Sequence, residues 1–202
     1  MAGKFLVIFS TACAVLCSGA SGLPATVKSD GPTRVQLFLP WSSGALARGF
    51  TLAKKSAGSC WSHSLSTDRP DAWRCFLGND ILDPCFSASP RTGEVACADE
   101  PFSKRVVILR LTKPLPAEEN PTTKWLQPKG EPWGLGLANG DTCYFATGAT
   151  DVAGGERMNY ECFGGGWIVG FADRTTARWT ARIMVWPNKS RLSRIGIAAA
   201  VF

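Results

Sequence analysis

His63 is the chain's only histidine, so any imidazole chemistry must run through it. A Ser–His–Asp hydrolase would set His63 between a serine nucleophile and an orienting acid, with Asp68, Asp71, Asp80 and Asp83 the nearby carboxylates. No G-x-S-x-G elbow supplies that serine. The plainer reading of His63 is a surface or loop imidazole beside Cys60-Trp61. Paired carboxylates could instead serve glycoside hydrolysis. Asp99-Glu100 and Glu118-Glu119 are such pairs, but adjacent acids in turn-rich, Pro-flanked segments usually mark solvated loops. Asp80 and Asp83 stand beside Gly78-Asn79 and Pro84, where turn and cap roles account for them. Gly134, Gly136 and Gly140 miss the G-x-G-x-x-G spacing, and no Walker motif exists, so a nucleotide site is unsupported. These positions assign no catalytic residue, no metal ligand and no cofactor.

The cysteines are the most informative reactive residues. The N-terminus reads as a signal peptide for secretion: Lys4, then the 13-residue apolar run from Phe5 to Cys17, then Ser18-Gly19-Ala20 for cleavage. The run is short of the roughly 20 residues that cross a bilayer, and no later stretch could span one, so no transmembrane segment is expected in the mature chain. Cys13 and Cys17 leave with residues 1–20; lipid attachment is disfavoured at Cys17 by the Leu16 before it and at Cys13 by its place too early in the apolar run. Six cysteines stay: Cys60, Cys75, Cys85, Cys97, Cys143 and Cys162. An even number in an exported chain predicts disulfide bonds and leaves no thiol nucleophile. A zinc site would need C-x₂-C pairs or further histidines. Nearest-neighbour pairing is expected, Cys60–Cys75, Cys85–Cys97 and Cys143–Cys162. The last rests on a hairpin turning near residue 152, which sets its two cysteines opposite one another.

Charge and aromatic residues supply the remaining candidates. The mature chain keeps 21 basic and 16 acidic residues once Lys4 is removed, a formal charge of +5. This mild excess does not indicate nucleic acid. From Arg174 onward the chain has basic residues and no acid. Arg178 and Arg182 share a strand face, and with Arg191, Arg194 and Trp186 they form a candidate contact surface for an anionic cell-wall polymer or lipid. The alternative is a solvated strand face with edge-protecting charges. Of eight tryptophans, Trp61, Trp73, Trp133, Trp167 and Trp179 lie near cysteines or strands and read as core, while Trp41, Trp125 and Trp186 lie in or beside Pro-rich loops, where an indole could stack on a sugar.

The elements that would position these residues read as mainly β, or α+β. Residues 21–33 read as a flexible leader, and 34–202 as a single disulfide-stabilised domain. Residues 34–39 are the first strand, ended by Pro40. Residues 40–104 read as an irregular, disulfide-stapled half with one short helix starting at Asp68-Arg-Pro-Asp71, carrying Ala72, Trp73, Cys75 and Phe76, and stopping at Gly78-Asn79. Residues 106–111 are β-branched and strand-like, and 113–132 a Pro-rich surface loop. The C-terminal third predicts an antiparallel meander with strands at 142–147, 157–163, 167–172, 178–186 and 192–201. In the fourth, Trp179, Ala181, Ile183 and Val185 share one face.

The segments Gly58-Ser-Cys60-Trp61, Arg69-Pro70-Asp71-Ala72-Trp73-Arg74-Cys75, Gly78-Asn79-Asp80-Ile81 and Asp83-Pro84-Cys85-Phe86, with Pro132-Trp133, Gly140-Asp141-Thr142-Cys143 and Asn159-Tyr160-Glu161-Cys162, resemble an uncharacterised six-cysteine domain of secreted actinobacterial proteins. The same domain occurs as the extracellular part of some membrane kinases. The resemblance covers most of residues 57–202. It implies export and disulfides, and it implies no reaction.

The leading expectation is a secreted, non-enzymatic binding or interaction domain at the cell envelope, with an anionic cell-wall polymer or another secreted protein as partner. The second is a secreted hydrolase using His63 with a nearby Asp. The third is an extracellular sensor or inhibitor module.

Overall fold

The computed structural model describes residues 31–89, 93–116, 130–185 and 191–202. Among them are fifteen strands and no helix. In chain order these are β1 (Arg34–Gln36), β2 (Trp41–Ser42), β3 (Ala45–Leu46), β4 (Thr51–His63), β5 (Ala72–Leu77), β6 (Asp80–Ser87), β7 (Glu94–Ala98) and β8 (Arg105–Leu111), followed by β9 (Gly134–Leu137), β10 (Thr142–Phe145), β11 (Val152–Ala153), β12 (Glu156–Cys162), β13 (Gly166–Asp173), β14 (Thr180–Val185) and β15 (Leu192–Val201). No helix of the described residues is long and apolar enough to cross a membrane.

Two closed meanders account for nearly all of them. Strands β4 to β8 form a five-stranded barrel. Each strand of a meander reverses direction, so the first and fifth run the same way. The ring therefore closes through a parallel pair, β4 with β8, while its other pairings are antiparallel. Strands β9, β10, β12, β13, β14 and β15 form a second ring. Six is even, so this ring closes antiparallel, β15 with β9. The predicted C-terminal meander is present, with its strands within a few residues of the expected bounds.

The first half corrects the sequence reading in two respects. It is a closed barrel, not an irregular segment, and residues 72–77 are strand β5 where a short helix was expected. The helix signals at Asp68 to Asp71 are outweighed by pairing. In β5, Trp73 and Cys75 point into the barrel and Ala72 points out, an alternation that only a strand provides. Gly78-Asn79 is then a two-residue hairpin turn joining Leu77 to Asp80, with Gly78 at φ 63° as the primed turns require. All three disulfides match the nearest-neighbour pairing. Each joins residues directly opposite on neighbouring strands: Cys60 and Cys75 on β4 and β5, Cys85 and Cys97 on β6 and β7, Cys143 and Cys162 on β10 and β12.

The barrels share a seam. Where they run along the seam, strands β5 to β8 bury both faces: Cys85, Val95, Cys97 and Leu109 fill the first barrel, while Ala72, Phe86, Ala96, Val106 and Ile108 pack outward with Phe38, Trp133 and Val201. Burial on both faces explains the apolar run Val106–Leu109 within β8. Phe38 meets Phe50 and Trp133 edge-on, with centroids 5.1 and 5.6 Å apart. Burying such side chains contributes about 1.5–3 kcal/mol each. Arg69 locks the seam from the side. Its guanidinium binds Asp71 through two nitrogens, lies 4.3 Å from the centre of Phe86, and donates to the carbonyls of Phe38 and Phe202. Of the expected leader, residues 21–30 lie outside the described residues. Thr33 at its end is tied to the second barrel, donating its hydroxyl to the Ile197 carbonyl at 2.6 Å and accepting from Trp179 N at 2.8 Å.

Candidate ligand-binding cleft

A cysteine pointing into a barrel makes its successor point outward. Five of the six paired cysteines are followed by an aromatic residue: Trp61, Phe76, Phe86, Tyr144 and Phe163. Phe86 is buried in the seam. The other four lie on outer faces as two related pairs. Trp61 and Phe76, each 40% exposed, stack with centroids 3.9 Å apart beside Cys60–Cys75. Tyr144 and Phe163 lie 5.5 Å apart beside Cys143–Cys162, with Phe163 56% exposed. Ile81, directly across from Phe76 in the β5–β6 hairpin, carries the apolar surface of the first pair towards the second.

Between them the barrels enclose a cleft of about 240 Å³. Its first-barrel wall is Ser66, Ile81 to Pro84 and Ala98 to Pro101; its second-barrel wall is Tyr144, Phe145 and Phe163, and Trp133 completes it. This volume lies below the roughly 300 Å³ at which drug-sized pockets begin, so it suits one ring or headgroup of a longer ligand. Three carboxylates line the cleft: Asp83, Asp99 and Glu100.

Asp83 is held from all sides. Ser64 and Ser66 donate their hydroxyls to Oδ1, the latter at 2.9 Å, and Leu65 N donates to Oδ2 at 3.0 Å. Arg74 Nε stands 3.8 Å from Oδ2. Burial pushes the Asp83 carboxyl above its ordinary range, and these donors and Arg74 only partly offset it. Asp83 thus fixes the loop after β4 to β6 and with it the cleft wall. Asp99 and Glu100, in the turn after β7, are more open; Asp99 lies 4.0 Å from Arg105, the outer limit of an ion pair. Tyr144 donates its hydroxyl to Glu161 at 2.6 Å, and burial followed by that carboxylate pushes its pKa up to about 12. The indole Nε1 of Trp133 is buried without a hydrogen-bond partner among the described residues.

The sequence candidates fall elsewhere or in altered roles. His63, half-buried at the end of β4, stacks on Trp73 with centroids 4.1 Å apart. Ser64 and Ser66 donate their hydroxyls to Asp83, and Ser62 donates to the His63 carbonyl, an order of hydrogen bonds different from a serine–histidine–aspartate triad. Asp68 accepts from Gly130 N and Asp71 binds Arg69. Arg182 and Arg194 are directly opposite on β14 and β15, and each is paired with an acid, Glu156 and Asp173 respectively. Arg178 packs against Gly196, and Arg191 is exposed. Trp186, Trp125 and Glu118-Glu119 lie outside the described residues. Among those described, no cluster of histidine, cysteine and carboxylate side chains could hold a metal. The sequence reading gave Tyr144, Phe163 and Ile81 no functional role and set Asp99-Glu100 aside as a loop. The recurring Cys-aromatic dipeptides are the signal that would have found the first two.

No family model, curated protein or solved structure matches the chain.

Proposed function

We propose that the chain is exported and acts outside the cell as a non-enzymatic binding module, taking a ligand of the cell envelope into the cleft between its barrels. The observation that carries this reading is the convergence of carboxylates and outward aromatic rings on one cavity at the seam. Three disulfides and the resemblance to the secreted six-cysteine domain support export. The basic C-terminal face supports a contact surface less well, because Glu156 and Asp173 offset Arg182 and Arg194. Binding has more support than hydrolysis. Both Asp83 oxygens are engaged by neighbouring donors, which leaves that carboxyl poorly placed to protonate a leaving group.

The test is retention of the disulfide-bonded protein on cell-envelope fractions. Phe163→Ala removes an exposed ring and should weaken retention about tenfold, the usual scale for an aromatic anchor. His63→Ala should leave it unchanged. Unaltered retention of the Phe163 variant would count against the cleft, and turnover lost with His63 would restore the hydrolase reading.

A further inference from the structure

We propose that the outer face of the second barrel carries a second binding site, a pocket that takes a small aromatic molecule without negative charge. The site is independent of the cleft and shares no lining residue with it. Its cavity holds about 510 Å³, inside the roughly 300–1,000 Å³ range of small-molecule sites. Met158 of β12, Trp167 of β13 and Met184 of β14 line it, together with Gly165 and the loop 149–151. Trp167 and Met184 are directly opposite on neighbouring strands, and both alternate with Ile168 and Ile183, which fill the barrel. Met158 and Met184 are only 5% and 4% exposed, although they belong to a cluster outside that core. The loop over them is pinned without a ligand. Arg157 donates to the carbonyls of Ala146 and Gly148 at 2.7 and 2.9 Å and to Asn159 Oδ1 at 2.9 Å, and Met158 N donates to the Asp151 carbonyl at 3.0 Å. The cavity is therefore preformed, and a ligand entering it does not have to order its wall.

The lining selects by chemistry as well as by size. Two thioethers and an indole face one space. A thioether gains from the edge of an aromatic ring, and an indole gains from a second ring, beyond the area that each buries. A saturated ring of the same size gains the burial alone. A sugar would lose hydration from its hydroxyls against thioethers that accept hydrogen bonds only weakly. Asp151 is the one ionisable side chain of the lining among the described residues, and its Oδ1 already accepts from Val152 N at 2.9 Å. An anionic ligand would meet this charge with no cation in the lining to offset it.

The full disulfide-bonded chain, isotope-labelled at its methionine methyl groups, is titrated with phenethyl alcohol, with its saturated counterpart cyclohexylethanol, and with phenylpropionate. The sequence has three methionines, and two of them, Met158 and Met184, line the pocket, so the methyl resonances report on it directly. Met158→Leu and Met184→Leu assign the two signals. Saturable shifts of both are expected with phenethyl alcohol, at an affinity about tenfold tighter than for cyclohexylethanol, the combined scale of one ring–ring and one sulfur–ring contact. Phenylpropionate should bind more weakly than the alcohol, and Asp151→Asn should narrow that gap. Trp167→Leu should remove the aromatic preference, with near-ultraviolet circular dichroism to check its fold; if it does not fold, the two alcohols compared on the wild-type chain still decide. Cyclohexylethanol binding as tightly as phenethyl alcohol would overturn the selection for an aromatic ring. Phenylpropionate binding as tightly would overturn the exclusion of anions. Absent shifts, or shifts lost in Phe163→Ala, would overturn the site itself and leave the cleft to be decided by envelope retention.

Discussion

Gly134 of β9 packs against Pro101 with no room for a side chain between them. A Cβ on Gly134 would stand 2.9 Å from Pro101 Cγ and 2.7 Å from Val201 Cγ1. Pro101 belongs to the first barrel's wall of the cleft and Val201 to the seam, so this bare backbone sets how closely the barrels approach. Gly134→Ala should therefore destabilise the protein by about 1–3 kcal/mol, as overpacking of a closed core does. Gly136, two residues on in the same strand, is the control: its Cβ would meet Ala199 at 3.5 Å, an ordinary contact. Urea unfolding should show Gly136→Ala near wild type. Equal effects of the two would show that the seam does not resist a methyl group.

The Cys143–Cys162 bridge lies within the second barrel's core and closes 19 residues of chain. In the chain-entropy model a loop of this length contributes about 3 kcal/mol. Replacing both cysteines by alanine should lower the unfolding free energy by about that amount. A loss confined to a few tenths would mean that the β10–β12 hairpin is held by its ladder alone.

Asp83 predicts a pH dependence with a definite sign. Its carboxyl is raised from 3.8 in the folded protein, chiefly by burial. The native state then binds the proton more tightly than the unfolded chain. The stability Asp83 contributes is full below the unfolded value and is lost as pH rises through the folded one. Asp83→Asn cannot ionise, so the stability of wild type minus variant should fall as pH is raised from about 3 to 8. Denaturant unfolding across that range checks it; a difference that grows with pH would mean that the donors, not burial, control this carboxyl.

Much of the second barrel was legible because its strands alternate. Ala181 and Ile183 point in, as the pattern of residues 178–186 requires, and Cys143 meets Cys162 across β10 and β12, although the turn falls at Gly154-Gly155 and not near residue 152. Met184, on the opposite face, is nonetheless buried with Met158 and Val169 in an outer cluster that a two-faced pattern does not foresee. The first barrel was hidden for physical reasons. Apart from Leu52, residues 51–57 of β4 are small or polar, most are exposed, and they form a strand by pairing with β8. The cleft was hidden more deeply, since Asp83, Asp99, Tyr144 and Phe163 are brought together by the packing of one barrel on another, which no local spacing encodes.

The paired arginines of β14 and β15 give a last prediction. The Glu156 carboxylate reaches Arg182 across Gly170, where φ is 70° and the lack of a side chain leaves it room. Asp173 lies 3.5 Å from Arg194. Hydrogen bonds from the Thr175 hydroxyl and backbone, more than Arg194, hold the Asp173 carboxyl below its ordinary range, so it keeps its charge at neutral pH. Neutralising both acids, Glu156→Gln with Asp173→Asn, should unmask a row of positive charge. The variant should bind anionic vesicles more tightly than wild type and lose that gain in high salt. A second variant with the same net charge, Asp80→Asn with Asp151→Asn, changes exposed acids away from that face and separates a local effect from a global one. Equal vesicle binding by the two variants would show that the arginine face carries no special affinity for anions.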